Sequence, residues 1–216
     1  GEASAPATGA LVEALDCQVN GVVATYALGK IGAVPPAAEK KIAKNARGVD
    51  GVLATISLWA LARLHPDDAE LERKTVRRLA EFLKSDDPRQ REAAARALVE
   101  LDPDPEITRP IIKKVMDGAS PEVLNAAMDA IAGLGQKALP RMIEALEAPE
   151  VRARAAAIIA RIGPKAKRAV PALVDALADP DAETRNEVLF ALGSIGPGAE
   201  GAVPAVAKAL SDADMN

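Results

Sequence analysis

The residue types that carry out catalysis are scarce in this chain. It has one histidine, His65, and one cysteine, Cys17, and a zinc site of the histidine and cysteine type needs more ligands than these two supply. Ser194 stands in a Gly-Ser-Ile-Gly segment that resembles a nucleophile motif, but no strand precedes it to form the required elbow. We therefore expect no catalytic residue, metal or cofactor. We interpret His65 as an exposed loop residue and Cys17 as a structural or exposed thiol.

Aspartates recur in short turns, and these also admit a chemical interpretation. A calcium loop needs oxygen ligands at alternate positions, a central glycine and a closing glutamate, and none of the turns has this pattern. An aspartate before a helix accepts hydrogen bonds from its first free N–H groups, and a proline suits its first turn. We therefore interpret Asp86, Asp87, Asp179 and Asp181 as helix caps.

The elements that position these residues repeat along the sequence. Each repeat has a helical segment, an acidic turn and a second helical segment that ends on Leu or Ile. These final positions lie 28 to 37 residues apart, at Ile31, Leu64, Leu101, Leu134, Ile162 and Ile195. A period in this range indicates stacked helical hairpins. The composition, 49% apolar but only 2% aromatic, favours helices packed through small and aliphatic side chains. We predict an all-α chain, an α-solenoid of about six and a half stacked antiparallel hairpins.

The expected helices follow from the apolar spacing and from the proline and glycine positions. The first helices are Ala10–Leu15, Pro36–Ala46, Ala69–Leu83, Glu106–Met116, Gln136–Leu146, Lys165–Leu177 and Glu200–Leu210. The second helices are Val19–Ile31, Val52–Leu64, Arg89–Leu101, Pro121–Leu134, Pro149–Ile162 and Asp181–Ile195. We assign residues 1–9 to a linker or an expression scar and residues 10–216 to the repeat array. Leu210 aligns with Leu177, so Asp214 aligns with Asp181, and we expect the chain to be a fragment of a longer protein.

Several repeats share a proline in the first helix, an Asp-rich turn, an arginine early in the second helix and a Leu-Gly-x-Ile-Gly ending; the residues are Pro110, Pro140, Pro171, Pro204, Arg91, Arg152, Arg185, Leu28–Gly32 and Leu192–Gly196. In these features the chain resembles the HEAT-repeat family, in the short form known from phycobilin-lyase-like proteins. Gly21, Ala54 and Leu124 replace the arginine in the other repeats. The resemblance implies that second helices line a concave face and that this face binds. HEAT arrays include scaffolds, transport receptors and a few enzymes.

The residues of that face can be derived by counting back from the residue after each final apolar position. The sixth position back varies in chemistry, as a solvent-facing row should, and holds Tyr26, Trp59, Arg96, Asp129, Ala157 and Phe190. Neighbouring positions add Val23 and Ile56 on one side and Lys30 and Arg63 on the other. We predict a partner-binding patch of Tyr26, Trp59, Val23, Ile56, Lys30 and Arg63, continued by Arg96 and Asp129. Aromatic residues and arginine are enriched at binding hot spots. The alternative is that the two aromatics pack on each other or against a missing N-terminal repeat.

We predict from this patch a protein-interaction or scaffolding module that binds a protein or peptide with an apolar anchor and an acidic residue. One alternative, which the resemblance allows, is a bilin lyase-like subunit that handles a chromophore. The other is nucleic-acid binding through a basic band on the first helices, formed by Lys40, Lys41, Lys44, Arg47, Arg73, Lys74, Arg77, Arg78, Lys113 and Lys114. The net charge of −4 argues against a nucleic-acid partner.

The remaining expectations concern the setting of the chain. No apolar run approaches the roughly 18 residues of a membrane helix, and no signal peptide is visible. We expect no membrane association and favour a cytoplasmic location, and the many Ala and Arg residues suggest a bacterial source. We expect a monomer or weak self-association through an open C-terminal face.

Overall fold

The computed structural model describes residues 5–17, 20–48 and 51–211. These residues form helices and connecting turns, with no strand among them. The chain divides into two compact units, Gly1–Val123 and Leu124–Asn216. Helices pack on their neighbours in sequence order within each unit, so the prediction of an all-α solenoid of stacked hairpins is confirmed.

The first unit contains α1 to α7 and the start of α8. Their bounds are α1 Ala5–Ala14, α2 Gly21–Ile31, α3 Pro36–Asn45, α4 Gly51–Leu64, α5 Ala69–Phe82, α6 Pro88–Leu101, α7 Pro105–Met116 and α8 Pro121–Ala132. The second helices α2, α4 and α6 pack on one another and form one layer. Of the first helices, α5 packs on α7. Because α4 has α2 and α6 beside it in the layer and α3 and α5 across it, most of its residues are buried.

The second unit holds most of α8 and all of α9 to α13, which are α9 Leu139–Ala145, α10 Pro149–Ile162, α11 Val170–Ala176, α12 Ala182–Ile195 and α13 Val203–Ser211. Three-residue-per-turn (3₁₀) segments precede α9, α11 and α13, at Gly135–Lys137, Gly163–Ala169 and Gly196–Ala202. We predicted one continuous first helix in each of these places. The α-helix starts only at the turn holding Pro140, Pro171 or Pro204, because a proline has no N–H to donate and is accommodated in a first turn.

The other predicted helix ends within the described residues agree with the structure to within a few residues, except for the start of α1. Helix α10 has the expected bounds, Pro149–Ile162. Helix α1 starts at Ala5 rather than at Ala10. The expected second-helix start at Val19, residues 1–4 of the assigned linker and Asp214 lie outside the described residues.

The acidic turns cap helices as predicted at two of the four aspartates. The Asp87 carboxylate accepts from the backbone N–H of Arg89 at 2.9 Å, and that of Asp181 accepts from the N–H of Thr184 at 2.8 Å. Asp179 is buried and accepts from the backbone N–H of Asp181 at 2.8 Å, which braces the turn rather than the helix end. Asp86 contributes its backbone carbonyl, which accepts from Arg91 at 3.1 Å.

The arginine of the repeat pattern has a structural role in this chain. Its guanidinium, early in the second helix, donates to backbone carbonyls of the preceding turn: Arg91 to Ser85, Arg152 to Leu146, and Arg185 to Asp179 and Pro180. Arg152 also forms an ion pair with the buried carboxylate of Asp179, in the next repeat. A guanidinium presents several N–H donors in a fixed plane, so one side chain holds a turn closed.

Candidate functional site

The predicted patch lies where α2 packs on α4, and one glycine decides how closely they approach. A Cβ added to Gly29 would lie 2.5 Å from Cζ3 of Trp59 and 3.1 Å from Cα of Ala60. The Trp59 ring therefore occupies space that any larger residue at position 29 would take. Trp59 is 1% exposed, and its ring stacks on that of Tyr26 with centroids 4.9 Å apart and planes inclined by 19°.

Two residues of the predicted partner-binding patch are buried instead of facing solvent. Trp59 and Ile56 lie on α4, which is covered by helices on both sides, and Ile56 is 8% exposed. Counting positions could not reveal this, since burial of Trp59 depends on the glycine of the neighbouring helix. Val23, on α2, is 68% exposed, and the Arg63 side chain at the end of α4 is also exposed.

A residue that we did not predict completes the site. Glu100, near the end of α6, accepts a hydrogen bond from the Tyr26 hydroxyl, 3.3 Å from Oε1, and its Oε2 lies 2.8 Å from Nζ of Lys30. Nζ of Lys30 also lies 5.3 Å from the Tyr26 ring centroid and 5.4 Å from that of Trp59, within the range of a cation–π interaction. We call Tyr26, Lys30, Trp59 and Glu100 the cation cluster.

Charge in the cation cluster is balanced internally. The hydrogen bond from Lys30 to Glu100 raises the pKa of Lys30 above its ordinary value; burial opposes the shift and the attraction of the Glu100 charge adds to it. The ammonium therefore stays protonated over the whole physiological range. The Trp59 indole N–H is buried and has no acceptor among the described residues. An unsatisfied buried donor costs about 1–3 kcal/mol, so packing of the ring outweighs this loss.

The other two predicted site residues are not members of the cation cluster. Arg96, on α6, forms an ion pair of 2.9 Å with Glu92 one turn earlier, and both side chains are exposed. Asp129 belongs to the second unit, where its carboxylate accepts from Nε of Arg161 at 2.9 Å. Nη2 of Arg161 also donates to the side chain of Asn125, at 2.7 Å. The structure thus brings Tyr26, Lys30 and Trp59 together, with Val23 on the same helix as Tyr26.

The second unit has its own exposed aromatic residue in the sixth-position row. Phe190 on α12 is 68% exposed, and a Cβ on Gly193 of the same helix would meet no heavy atom within 4 Å. Leu210 on α13 is 63% exposed, whereas its equivalent in the previous repeat, Leu177, is 6% exposed. Leu177 belongs to the buried core of the second unit, which also includes residues of α12.

Most side chains of the basic band on the first helices are exposed, but acidic side chains lie beside several of them. Lys40, Lys44, Arg73 and Arg77 are exposed. Lys74 forms an ion pair with Glu70, Lys113 with Asp117, and Lys41 with Asp16, at 3.3, 3.4 and 2.5 Å. Exposed pairs such as these contribute little stability but reduce the field that an anionic polymer would encounter.

The residues that we considered for catalysis lie in a loop, at the surface and within a helix. His65 is exposed in a loop, as predicted, and its Nε2 lies 2.9 Å from Glu39. Cys17 is exposed, and Ser194 belongs to helix α12. Within the described part of the chain, no three His, Cys, Asp or Glu side chains gather as a metal site. Every helix in those ranges is too short or too polar to traverse a lipid bilayer.

Comparison with known proteins identifies the repeat type. No curated protein matches the chain. Among solved structures, the crystal structure of an engineered protein is similar at 22% identity over 96% of this chain and 88% of that chain; its TM-score of 0.29 is too low to support a conclusion. The family model of HEAT repeats matches residues 139–215, which include α9 to α13. Residues 139–215 therefore belong to the HEAT-repeat family.

Proposed function

We propose that the chain is a protein-interaction or scaffolding module, and that a partner segment binds the face formed by α2, α4 and α6. HEAT repeats are in general protein-interaction scaffolds and are typically not enzymes. Their helices are ordered before a partner arrives, so binding does not have to repay the entropy of folding the surface.

The proposal rests on an exposed apolar side chain that lies beside a tightly packed pair of aromatic rings. Val23 is 68% exposed, one turn from Tyr26, and the Tyr26–Trp59 stack is anchored over Gly29. Arg63, at the end of α4, offers an exposed guanidinium. A well-packed aromatic pair beside an exposed apolar side chain and an arginine is the composition typical of hot spots. In this proposal Ile56 and Trp59 support the surface, and Arg96 extends it along α6.

A display library of random peptides tests the proposal while the natural partner is still unidentified. We expect the intact chain to select peptides, and we expect Val23→Asp to weaken their binding by at least about tenfold, because a carboxylate would replace the apolar anchor. Val203→Asp is the matched control: Val203, on α13, is 62% exposed, close to the 68% of Val23. Equal losses from the two variants, or failure to select any peptide, would refute the proposed surface.

A further inference from the structure

The Lys30 ammonium is bound by its own chain in the way a protein binds a cationic ligand. Three helices supply the groups around it: Tyr26 from α2, Trp59 from α4 and Glu100 from α6. Nζ lies 2.8 Å from a carboxylate oxygen and 5.3 and 5.4 Å from two ring centroids. Two aromatic rings and one carboxylate are the components of sites that recognise organic cations.

The groups that form this site are fixed, whereas its occupant is free to leave. Trp59 is 1% exposed, and the Glu100 side chain is 17% exposed. Gly29 and the stacking contact hold the Trp59 ring, and the Tyr26 hydroxyl holds the Glu100 carboxylate. The Lys30 side chain is 46% exposed. Its flexible stem has water beside it, so the ammonium can move into solvent without disturbing the helices.

We propose that Tyr26, Trp59 and Glu100 form a binding site for the guanidinium of a partner's arginine side chain, and that Lys30 occupies this site while no partner is bound. The exchange leaves the charge of the site unchanged, since one cation replaces another. Glu100 is already neutralised by Lys30, so a partner's acidic residue would gain little at this point. At this point the proposal differs from the acidic residue that we predicted for the partner segment from the sequence.

An arginine is the better occupant for two reasons. Its planar guanidinium stacks on aromatic faces and donates two parallel hydrogen bonds to a carboxylate, which an ammonium cannot do. It is also more weakly hydrated than an ammonium, so it loses less on leaving water. Lys30 has the advantage of being attached, with an effective concentration on the order of millimolar. A single arginine should therefore bind the wild type weakly, and flanking contacts of a segment should strengthen binding.

Removal of Lys30 should convert the site into a receptor for a single arginine. In Lys30→Met, which keeps an unbranched apolar stem, we expect N-acetyl-argininamide to cause a saturable change in the fluorescence of Trp59, the only tryptophan. Its affinity should exceed that for the wild type by at least about tenfold, because the internal competitor is gone. The neutral citrulline analogue should cause no saturable change. Adding Glu100→Gln should remove the gain.

A second variant and a second ligand complete the test. Lys30→Arg keeps the stem and the charge and fills the site with its own guanidinium, so it should lose the weak wild-type response; an unchanged response would overturn the proposal, even if Lys30→Met fails to fold. Free arginine should bind no more tightly than the capped amide, and the opposite result would assign the site to a small metabolite. Equal responses of wild type, Lys30→Met and the double variant would also overturn the proposal.

This inference rests on the proposed function, but the two can fail separately. Peptide selection without any effect of the Lys30 variants on the capped arginine would remove the cation site and leave the interaction module. Binding of capped arginine to Lys30→Met without selection of any peptide would support the cation site and remove the proposed peptide-binding surface.

Discussion

At the scale of single residues, the approach of α2 to α4 depends on the side chain that Gly29 lacks. A glycine inside a helix normally costs about 1 kcal/mol relative to alanine. Here a Cβ would meet the Trp59 ring at 2.5 Å and the Ala60 backbone at 3.1 Å. The favourable helix propensity of alanine is therefore outweighed by steric conflict with atoms that have no room to move.

We expect Gly29→Ala to lower the free energy of unfolding by about 1–2 kcal/mol, the net of overpacking and gained helix propensity. Gly193→Ala is the matched control, since Gly193 is also inside a second helix but a new Cβ there would meet no heavy atom within 4 Å outside the local helix backbone. It should raise the free energy of unfolding by about 0.5–1 kcal/mol. Urea denaturation followed by circular dichroism measures both. A stabilising Gly29→Ala would show that α2 and α4 move apart readily.

At the scale of elements, the turns between paired helices are held by polar side chains as well as by buried apolar residues such as Leu177. The turn before α12 contains a buried Asp179, the cap of Asp181 and the Arg185 guanidinium, which donates to two carbonyls of the turn at 2.9 Å. Such charge-assisted hydrogen bonds to a backbone are stronger than neutral ones. This network braces the connection between α11 and α12.

The Asp181 cap should make the second unit sensitive to acid. Hydrogen bonds from Thr184, at 2.7 Å from the hydroxyl and 2.8 Å from the backbone, hold the pKa of Asp181 below its usual range. A pKa lower in the folded chain contributes stability above the unfolded value, about pH 3.9, and this contribution is lost as the pH falls through the folded value. We expect Asp181→Asn, which keeps an oxygen acceptor, to flatten the loss of thermal stability below about pH 4.

The alanine variant separates the cap from its charge. Asp181→Ala removes the acceptor altogether and should lower the melting temperature at neutral pH as well. If Asp181→Asn loses stability below about pH 4 as steeply as the wild type does, the titration of other carboxylates governs acid unfolding. Melting curves at several pH values, recorded by circular dichroism, measure both effects.

At the scale of the whole molecule, the main helix contacts are local in sequence, since they join helices of the same or adjacent repeats within a unit. The contacts of Tyr26 and Lys30 with Glu100, two repeats further on, are an exception. Stability in such arrays is approximately a sum of repeat and nearest-neighbour contributions. A defect in one place should therefore loosen its surroundings and leave distant repeats intact.

We expect Leu173→Ala to accelerate hydrogen exchange in peptides from α9 to α13 and to leave peptides from α2 to α6 unchanged. Leu173 is fully buried in the core of the second unit, and truncation should cost about 2–5 kcal/mol. Leu79→Ala, at an equally buried residue of α5, should give the opposite distribution. Hydrogen exchange followed by mass spectrometry measures the rates for peptides of each unit in both variants. Faster exchange throughout the chain from either variant would mean that the units unfold as one.

Helix positions could be predicted because their signals are local. Proline at the start of α10 and the apolar residue at its end are adjacent to the bounds that they set. The burial of Trp59 and the part of Glu100 in the cation cluster could not be predicted in this way. The Trp59 ring packs against Gly29, which lies 30 residues earlier in the sequence. Glu100 accepts a hydrogen bond from Tyr26, which lies 74 residues earlier. Such pairings depend on how repeats stack, which the periodicity leaves open.

The fit of Trp59 over Gly29 also has an evolutionary consequence, because repeat arrays grow by duplication of their own segments. The equivalents of Gly29 in the next two repeats are Ala62 and Val99. If the repeat that contains Trp59 were duplicated directly after itself, the new tryptophan would pack against Ala62. The Cβ of Ala62 would then occupy the space that Gly29 leaves open for the Trp59 ring. The first two repeats can therefore be duplicated only as a pair, and in related sequences a tryptophan at position 59 should be inherited together with glycine at position 29.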